Sequence, residues 1–576
     1  MTHLLSSRPA AIVRFVHGVA PRLSVLSFAA LVACGGGTHE ASRVAAEEDA
    51  AATGSSPLDD GRAHVAATPR LREQAARANA PGFMPVGDPN AGTLGVFGPV
   101  VSWPLMPIHQ MLLADGRVLT YGSDVTGKQG GGLHYMVWDP ALGTGEDAFL
   151  VLPTQTGSNI FCAGQALLPT GEALIVGGTE IKDGVRGIGI ADVNVFDPVQ
   201  NTLALTPSMA YRRWYPTLLS LADGRQLVMG GRMDPPGGGE DLSTAAASAK
   251  AAASGATYAS TPEIWSSAAG WQTLTGATSD TVFGKSDVQW YYPRAWVMPS
   301  SKVFILSYSG AMWQMNPDGL GALTKLKGTV NGANARLQTV MYQPGKIIAM
   351  RDGGQTATID INGKQPVVAN TSPTLRYRQY GNATLLADGQ VWLSGGSADG
   401  NVETNDYFVS ESWDPATGQW HDMASATIPR LYHSSALLLP NATVVTGGGG
   451  DPGPFTNLNA EIYYPPYLYL KDGSGDLAPR PAITSMPDVL GWAQKFVVGV
   501  SSTTPISRVT LIRTGVVTHD FNSNQRFQQL SFTQKNGQLT LKTPASAGVA
   551  PPGYYMLFVF DGNGVPSVAK VFRIGT

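Results

Sequence analysis

The sequence predicts an all-β protein, a seven-bladed β-propeller followed by an immunoglobulin-like β-sandwich, on three observations. Its 576 residues include 68 glycines and are only 14% charged, a turn-rich composition too long for one ordinary domain. An apolar strand, tight turn and second apolar strand recur roughly every fifty residues, as repeat architectures require. After about Arg480 this repeat stops and shorter strand-like runs take over.

The N-terminus reads as an export signal. Arg8, Arg14 and Arg22 precede the apolar run from Leu23 to Ala33, which is too short with these flanks to span a bilayer. The run ends in Leu31-Val32-Ala33-Cys34 before three glycines, a pattern that resembles the bacterial lipobox. Residues 1–34 are therefore expected to be a lipoprotein-type signal peptide ending at the lipidated Cys34, and an ordinary cleaved signal is the alternative. The expected product is an exported bacterial lipoprotein, periplasmic or cell-surface, touching the membrane only through its N-terminal lipid anchor. Residues 35–95 lack sustained alternation and read as a low-complexity tether, with a short helix around Leu71–Ala80. With Cys34 so used, Cys162 is the only other cysteine, and no internal disulfide can form.

Residues 96–475 carry the repeat. Tight turns fall at Asp115-Gly116, Thr170-Gly171, Asp223-Gly224, Ser300-Ser301, Pro344-Gly345, Asp388-Gly389 and Pro440-Asn441. A third strand follows each and ends in a corner such as Trp138-Asp139-Pro140, Phe196-Asp197-Pro198 or Trp413-Asp414-Pro415. Seven hairpins and seven corners make seven units, and their Gly-Gly endings match kelch-type repeats. Residues 480–576 supply six strand-like runs: Lys495–Val500, Ser507–Arg513, Gln528–Thr533, Leu539–Thr543, Tyr554–Asp561 and Ala569–Ile574. Their spacing predicts the β-sandwich.

One offset recurs. Cys162 lies fifteen residues before Gly177-Gly178, Tyr215 fifteen before Gly230-Gly231, and Tyr432 fifteen before the glycine run opening at Gly447. In a structure built from repeats, equal offset means equivalent place. A thiol, a phenol and a phenol followed by His433 should gather near the axis on one face, where they can bind a metal and carry redox chemistry. Tyr380 shares the offset and Tyr292 approximates it; both read as wall or supporting residues. Taken alone, Cys162 could be an inert buried thiol, His433 a satisfied strand histidine and His519 an exposed loop histidine. His109 is off the shared offset by two and reads as structural or supporting.

These residues resemble the galactose oxidase and glyoxal oxidase group of copper radical oxidases, over nearly everything from Val96 to Thr576. The resemblance rests on Asn159-Ile160-Phe161-Cys162-Ala163-Gly164, Arg213-Trp214-Tyr215-Pro216-Thr217, Arg430-Leu431-Tyr432-His433-Ser434-Ser435, and Thr518-His519-Asp520-Phe521 with Gln525-Arg526. The C-terminal Gly553-Tyr554-Tyr555 and Gly564-Val565-Pro566-Ser567 extend it. It implies one copper ion held by Tyr215, Tyr432, His433 and His519, with Tyr215 joined by a thioether to Cys162 as a protein-derived radical cofactor. Tyr432 is then the base, and the catalytic set is Tyr215, Cys162 and Tyr432. The implied reaction oxidises a primary alcohol or small aldehyde with dioxygen and yields hydrogen peroxide. One departure stands out: galactose oxidase carries a tryptophan soon after the corresponding glycine pair, where this chain reads Gly231-Arg232-Met233-Asp234-Pro235-Pro236. Trp103, Trp214, Trp290 or a residue of another loop could shield the radical instead.

The alternative reading is a non-catalytic propeller serving as a cell-envelope binding or scaffold protein. A sialidase-like hydrolase is disfavoured because Ser-x-Asp-x-Gly repeats are lacking. A net charge of −3 gives no reason to expect a nucleic-acid partner, and a monomer is expected. The Gly-, Ala- and Ser-rich segment Met233–Pro262 falls between two strands of its blade and reads either as a cover over the metal face or as a surface insertion.

Overall fold

The computed structural model describes residues 84–129, 134–182, 185–235, 255–285, 288–450 and 452–575. The expected signal with Cys34, the tether up to residue 83 with its expected helix, and residues 236–254 of the Met233–Pro262 segment lie outside them. Among the described residues no helix is long and apolar enough to cross a membrane.

In chain order, the described residues form seven antiparallel sheets built on four strands each. Their innermost strands are His109–Leu112, Gly164–Leu167, Thr217–Ser220, Arg294–Val297, Thr339–Gln343, Asn382–Leu385 and Ser434–Leu438, all buried but for the end of the fifth. The outermost strands, such as Thr202–Thr206 and Ala322–Thr329, are largely exposed. Apolar burial therefore falls from the inner to the outer edge of every sheet. Inner strands of most neighbouring sheets pack together, and the last, Ser434–Leu438, returns against the first, His109–Leu112.

Local chemistry explains the repeat. Gly116 takes φ 88° in the first hairpin turn, where its N–H bonds the Leu113 carbonyl at 3.1 Å. The Asp-Pro corners are turns closed by the aspartate itself: Asp139 accepts from Ala141 N at 3.0 Å, Asp197 from Val199 N at 2.7 Å and Asp414 from Ala416 N at 2.8 Å. Each Gly-Gly pair marks where the start of the next sheet crosses. A Cβ on Gly177 would sit 2.3 Å from the Arg213 carbonyl oxygen, and Gly178 N donates to that same oxygen at 2.9 Å. Gly231 N bonds Trp290 O at 2.7 Å, and Gly396 N bonds Arg430 O at 2.7 Å, in the same way.

The packed body begins earlier than the expected boundary at residue 96, because residues 84–95 have apolar and backbone partners of their own. Met84 and Ala91 are buried, Gly87 N bonds Gly475 O at 3.0 Å, and a short helix spans Ala91–Leu94. Val96–Phe97 then adds to the seventh sheet, Val96 pairing with Tyr464.

The C-terminal region forms two facing sheets around Phe496, Leu511, Leu541, Tyr555 and Leu557. The expected strand Gln528–Thr533 is two strands, Phe527–Leu530 and Phe532–Lys535, because the chain passes from one sheet to the other between them. A feature absent from the sequence reading is the hairpin Val516–Thr518 and Phe521–Asn522. It pairs with the innermost strand of the first sheet, in register His109↔Thr518 and Met111↔Val516. Asn522 Oδ1 shapes it by accepting from Val516 N at 3.0 Å, Asn524 N at 3.3 Å and Gln525 N at 3.0 Å.

Candidate metal centre and active site

The hairpin carries His519 to the place where the inner strands begin. Around its imidazole stand His433 with ring centroids 4.5 Å apart, Tyr215 at 5.1 Å and Tyr432 at 5.4 Å. The Tyr215 and Tyr432 hydroxyls are 2.8 Å apart, and Tyr432 stacks on His433 at 3.9 Å. Cys162 Sγ lies 3.4 Å from His519 Nε2. Tyr215 N donates to the Cys162 carbonyl at 3.0 Å, and the thiol and phenol each perturb the other's ionisation. All five residues named in the sequence reading are thus brought together, and all are buried.

Backbone conformation shows why they share a place. Cys162, Tyr215 and Tyr380 have φ of 56°, 67° and 58°, in the left-handed region that side chains other than glycine seldom adopt. Each holds that conformation fifteen residues before a left-handed glycine at 177, 230 or 395. In the last sheet the equivalent residue is His433, φ 67°, fifteen before Gly448. The offset counted from Gly447 to Tyr432 is therefore corrected by one, because Gly448, at φ 72°, takes the left-handed conformation and Gly447 does not. An inserted residue in Arg430-Leu431-Tyr432-His433 lets one segment deliver both a phenol and an imidazole.

Buried ion pairs anchor these segments. Arg213 meets Glu263 at 2.9 Å, Arg378 meets Glu411 at 2.5 Å, and Arg430 meets Glu461 at 3.1 Å. The same arginines bond the carbonyls of Gly230, Gly395 and Gly448. Sequence reading missed these pairs, although an arginine two or three residues before each left-handed position was there to be seen. Arg294 likewise pairs with Asp520, next to His519. Thr518 Oγ1 lies 2.5 Å from His519 Nδ1, which leaves Nε2 facing the centre.

Burial dominates the electrostatics. It pushes the Tyr215 and Tyr432 phenols and the Cys162 thiol well above their usual ranges, and the His519 imidazole well below its own. Each side chain is accordingly neutral, and a cation among them would reverse that preference.

The tryptophan question has a geometric answer. Trp214 lies 4.3 Å from the Tyr215 ring at an interplanar angle of 44°, with Arg232 over its outer face at 4.5 Å. Trp290 flanks Tyr215 at 5.9 Å, whereas Trp103 packs against Trp138 at 4.9 Å. Tyr291 and Tyr292 complete the wall, at 4.9 and 5.2 Å from the Tyr215 ring. Tyr380 stands behind Tyr432 at 5.2 Å. His109 stacks on Tyr121 at 4.3 Å and comes within 5.8 Å of His519.

The chain is similar to several known proteins. Residues 480–574 match the family described as the galactose oxidase-like early set domain. A galactose oxidase of Gibberella zeae is 28% identical over 527 residues, covering 84% of this chain and 71% of that protein. An aldehyde oxidase of Arabidopsis thaliana is 29% identical over 244 residues, covering 38% of this chain and 39% of that protein. A solved fungal alcohol oxidase in complex with copper shares the fold, with a TM-score of 0.71 and 23% identity over 84% of this chain and 100% of that one. Residues 480–574 thus belong to the galactose oxidase-like early set domain, and the chain as a whole is similar to galactose oxidases and aldehyde oxidases.

Proposed function

We propose that this protein is a mononuclear copper radical oxidase that converts a primary alcohol to an aldehyde, or a small aldehyde to an acid, with dioxygen and release of hydrogen peroxide. The observation that carries the reading is the convergence of Tyr215, Tyr432, His433 and His519 on one buried point beside Cys162. Two phenol oxygens and two imidazole nitrogens are a donor set that suits Cu(II) in tetragonal geometry. Those four residues would hold the ion. When bound, copper supplies a one-electron acceptor and an open position for substrate.

The chain's own groups divide the remaining work. Tyr432 Oη, 2.8 Å from Tyr215 Oη, takes the substrate hydroxyl proton. A bond from Cys162 Sγ to the ring carbon ortho to Tyr215 Oη donates electron density and makes that phenol easier to oxidise. The Tyr215 ring would then hold the unpaired electron, and its Oη would accept a hydrogen atom from the substrate carbon. Trp214, Tyr291 and Tyr292 keep water from the ring. Overall an alcohol loses two electrons and two protons, and dioxygen takes both pairs; an aldehyde reacts as its hydrate.

The same reading treats the seven sheets as blades of one kelch-type propeller and the protein as a monomeric lipoprotein anchored through Cys34. Intact mass of the chain beginning after Cys34, before and after incubation with Cu(II) and oxygen, tests the core of it. Loss of two hydrogens, abolished in both Cys162→Ser and Tyr215→Phe, is the expected result. Copper binding without that loss would sink the radical mechanism and favour the scaffold reading.

A further inference from the structure

Cys162 faces two imidazoles. The ligand atoms of Cys162, His519 and His109 all lie within 4.8 Å of one another, the shortest separation being 3.4 Å from Sγ to His519 Nε2. All three residues are buried. Neither ring nitrogen of His109 has a hydrogen-bond partner among the described residues. Buried imidazole nitrogens left without partners are costly, so such a residue calls for an explanation. The copper centre proposed above does not provide one, since His109 is not among its ligands. Yet the fold holds this ring firmly, stacked on Tyr121 with an interplanar angle of 8° and set in a strand paired on both sides.

We propose that Cys162, His519 and His109 form a second, earlier copper site, which binds Cu(I) while the Cys162 thiol is still free. The inference rests on the reading of the neighbouring centre as a copper site. One thiolate and two imidazoles are soft and borderline donors that suit Cu(I), whereas the phenols of Tyr215 and Tyr432 suit Cu(II). Bond lengths of about 2.3 Å to sulfur and 2.0 Å to nitrogen, typical of a zinc-sized ion, separate trigonal ligands by roughly 3.5–3.7 Å. The Cys162–His519 pair already stands at 3.4 Å, and His109 needs to close in by about 1.3 Å at most.

His519 Nε2 serves both sites, so the ion occupies them in turn. Thioether formation breaks the Cys162 S–H bond and one Tyr215 ring C–H bond and makes one C–S bond. The two electrons and two protons released pass to dioxygen, which becomes hydrogen peroxide. A thiolate ligand would thereby be exchanged for a poorer donor; the ion, still Cu(I), would give one electron to a further dioxygen molecule and be held as Cu(II) by Tyr215, Tyr432, His433 and His519. His109 is then the ligand left behind.

The test is anaerobic titration of Cu(I) into the full chain prepared without copper and under reducing conditions, with bicinchoninate as competing chelator. Wild type, Tyr215→Phe and Tyr432→Phe are expected to bind one Cu(I) with equal affinity. Cys162→Ser and His109→Phe should bind it at least tenfold more weakly, while His109→Phe still takes up Cu(II). X-ray absorption of Cu(I)-loaded Tyr215→Phe, which keeps its thiol, should show one sulfur and two nitrogens, and it decides the matter if His109→Phe does not fold. Undiminished Cu(I) affinity in a folded His109→Phe, or a sulfur-free coordination sphere, overturns the proposal. If His109→Phe is undiminished yet the thioether forms, the oxidase reading survives and only the early site falls. Tight His109-dependent Cu(I) binding without any thioether supports the early site and removes the oxidase reading.

Discussion

Four of the five residues at the centre, Cys162, Tyr215, His433 and His519, stand in left-handed backbone, each costing on the order of 1–3 kcal/mol that surrounding contacts must offset. Their side chains are aimed by that strain. Tyr432, one residue before such a position, presents its hydroxyl to Tyr215. Tyr432→Phe is therefore expected to lower kcat by about 10²–10⁴-fold, the range for removal of a general base. Oxygen uptake set against copper content checks it, and unchanged turnover per bound copper would remove Tyr432 from the proton step. The residue types and their order were legible in sequence because repeats impose a constant offset. The one-residue slip at Gly447 was not, since only backbone dihedrals tell which glycine of the run is left-handed. His109 escaped for a different reason: it reaches the cluster from a neighbouring strand and obeys no offset.

The elements that place these residues are the starting segments of the sheets and the C-terminal hairpin. Three of these segments carry a buried arginine held by a glutamate two strands away, as in Arg213–Glu263. Breaking such a pair while leaving the arginine buried costs about 3–5 kcal/mol. Glu263→Gln should accordingly lower unfolding free energy by that amount in denaturant titration, and a loss below about 1 kcal/mol would assign it the small weight of a surface pair. The hairpin depends on Asn522, whose side chain satisfies three backbone N–H groups. Asn522→Ala leaves those donors buried and unpaired at about 1–3 kcal/mol each. Copper content of the purified variant should fall with stability, because His519 sits at the hairpin tip; full copper occupancy would show that the tip is fixed by other contacts. Sequence periodicity predicted the strands well but not this hairpin, whose five strand residues Val516, Val517, Thr518, Phe521 and Asn522 resemble any loop until a partner strand is in view.

At the scale of the whole molecule, the hairpin joins the C-terminal region to the first four-stranded sheet. Val517, Phe527 and Phe558 lie in one apolar cluster with Leu112, Leu385 and Leu437. The described residues are therefore expected to unfold in a single calorimetric transition with agreeing calorimetric and van't Hoff enthalpies. Two separate transitions would mean that the sandwich is only docked. The division into repeat and sandwich was readable from where the glycine pattern stops, whereas their fusion was not, since nothing in a strand pattern says which sheet it will join. The seventh sheet has an order of events written into it. Its edge partner Val96 meets Tyr464 only after the intervening repeats have been made, so closure waits on the far end of the chain. Such a non-local pairing is slow to form, since its loop-closure entropy is paid before the contact is gained. Until it forms, the edge of Asn459–Tyr464 stands open to pairing with another chain. The interval between synthesis and closure is thus the period in which this protein is most exposed to aggregation.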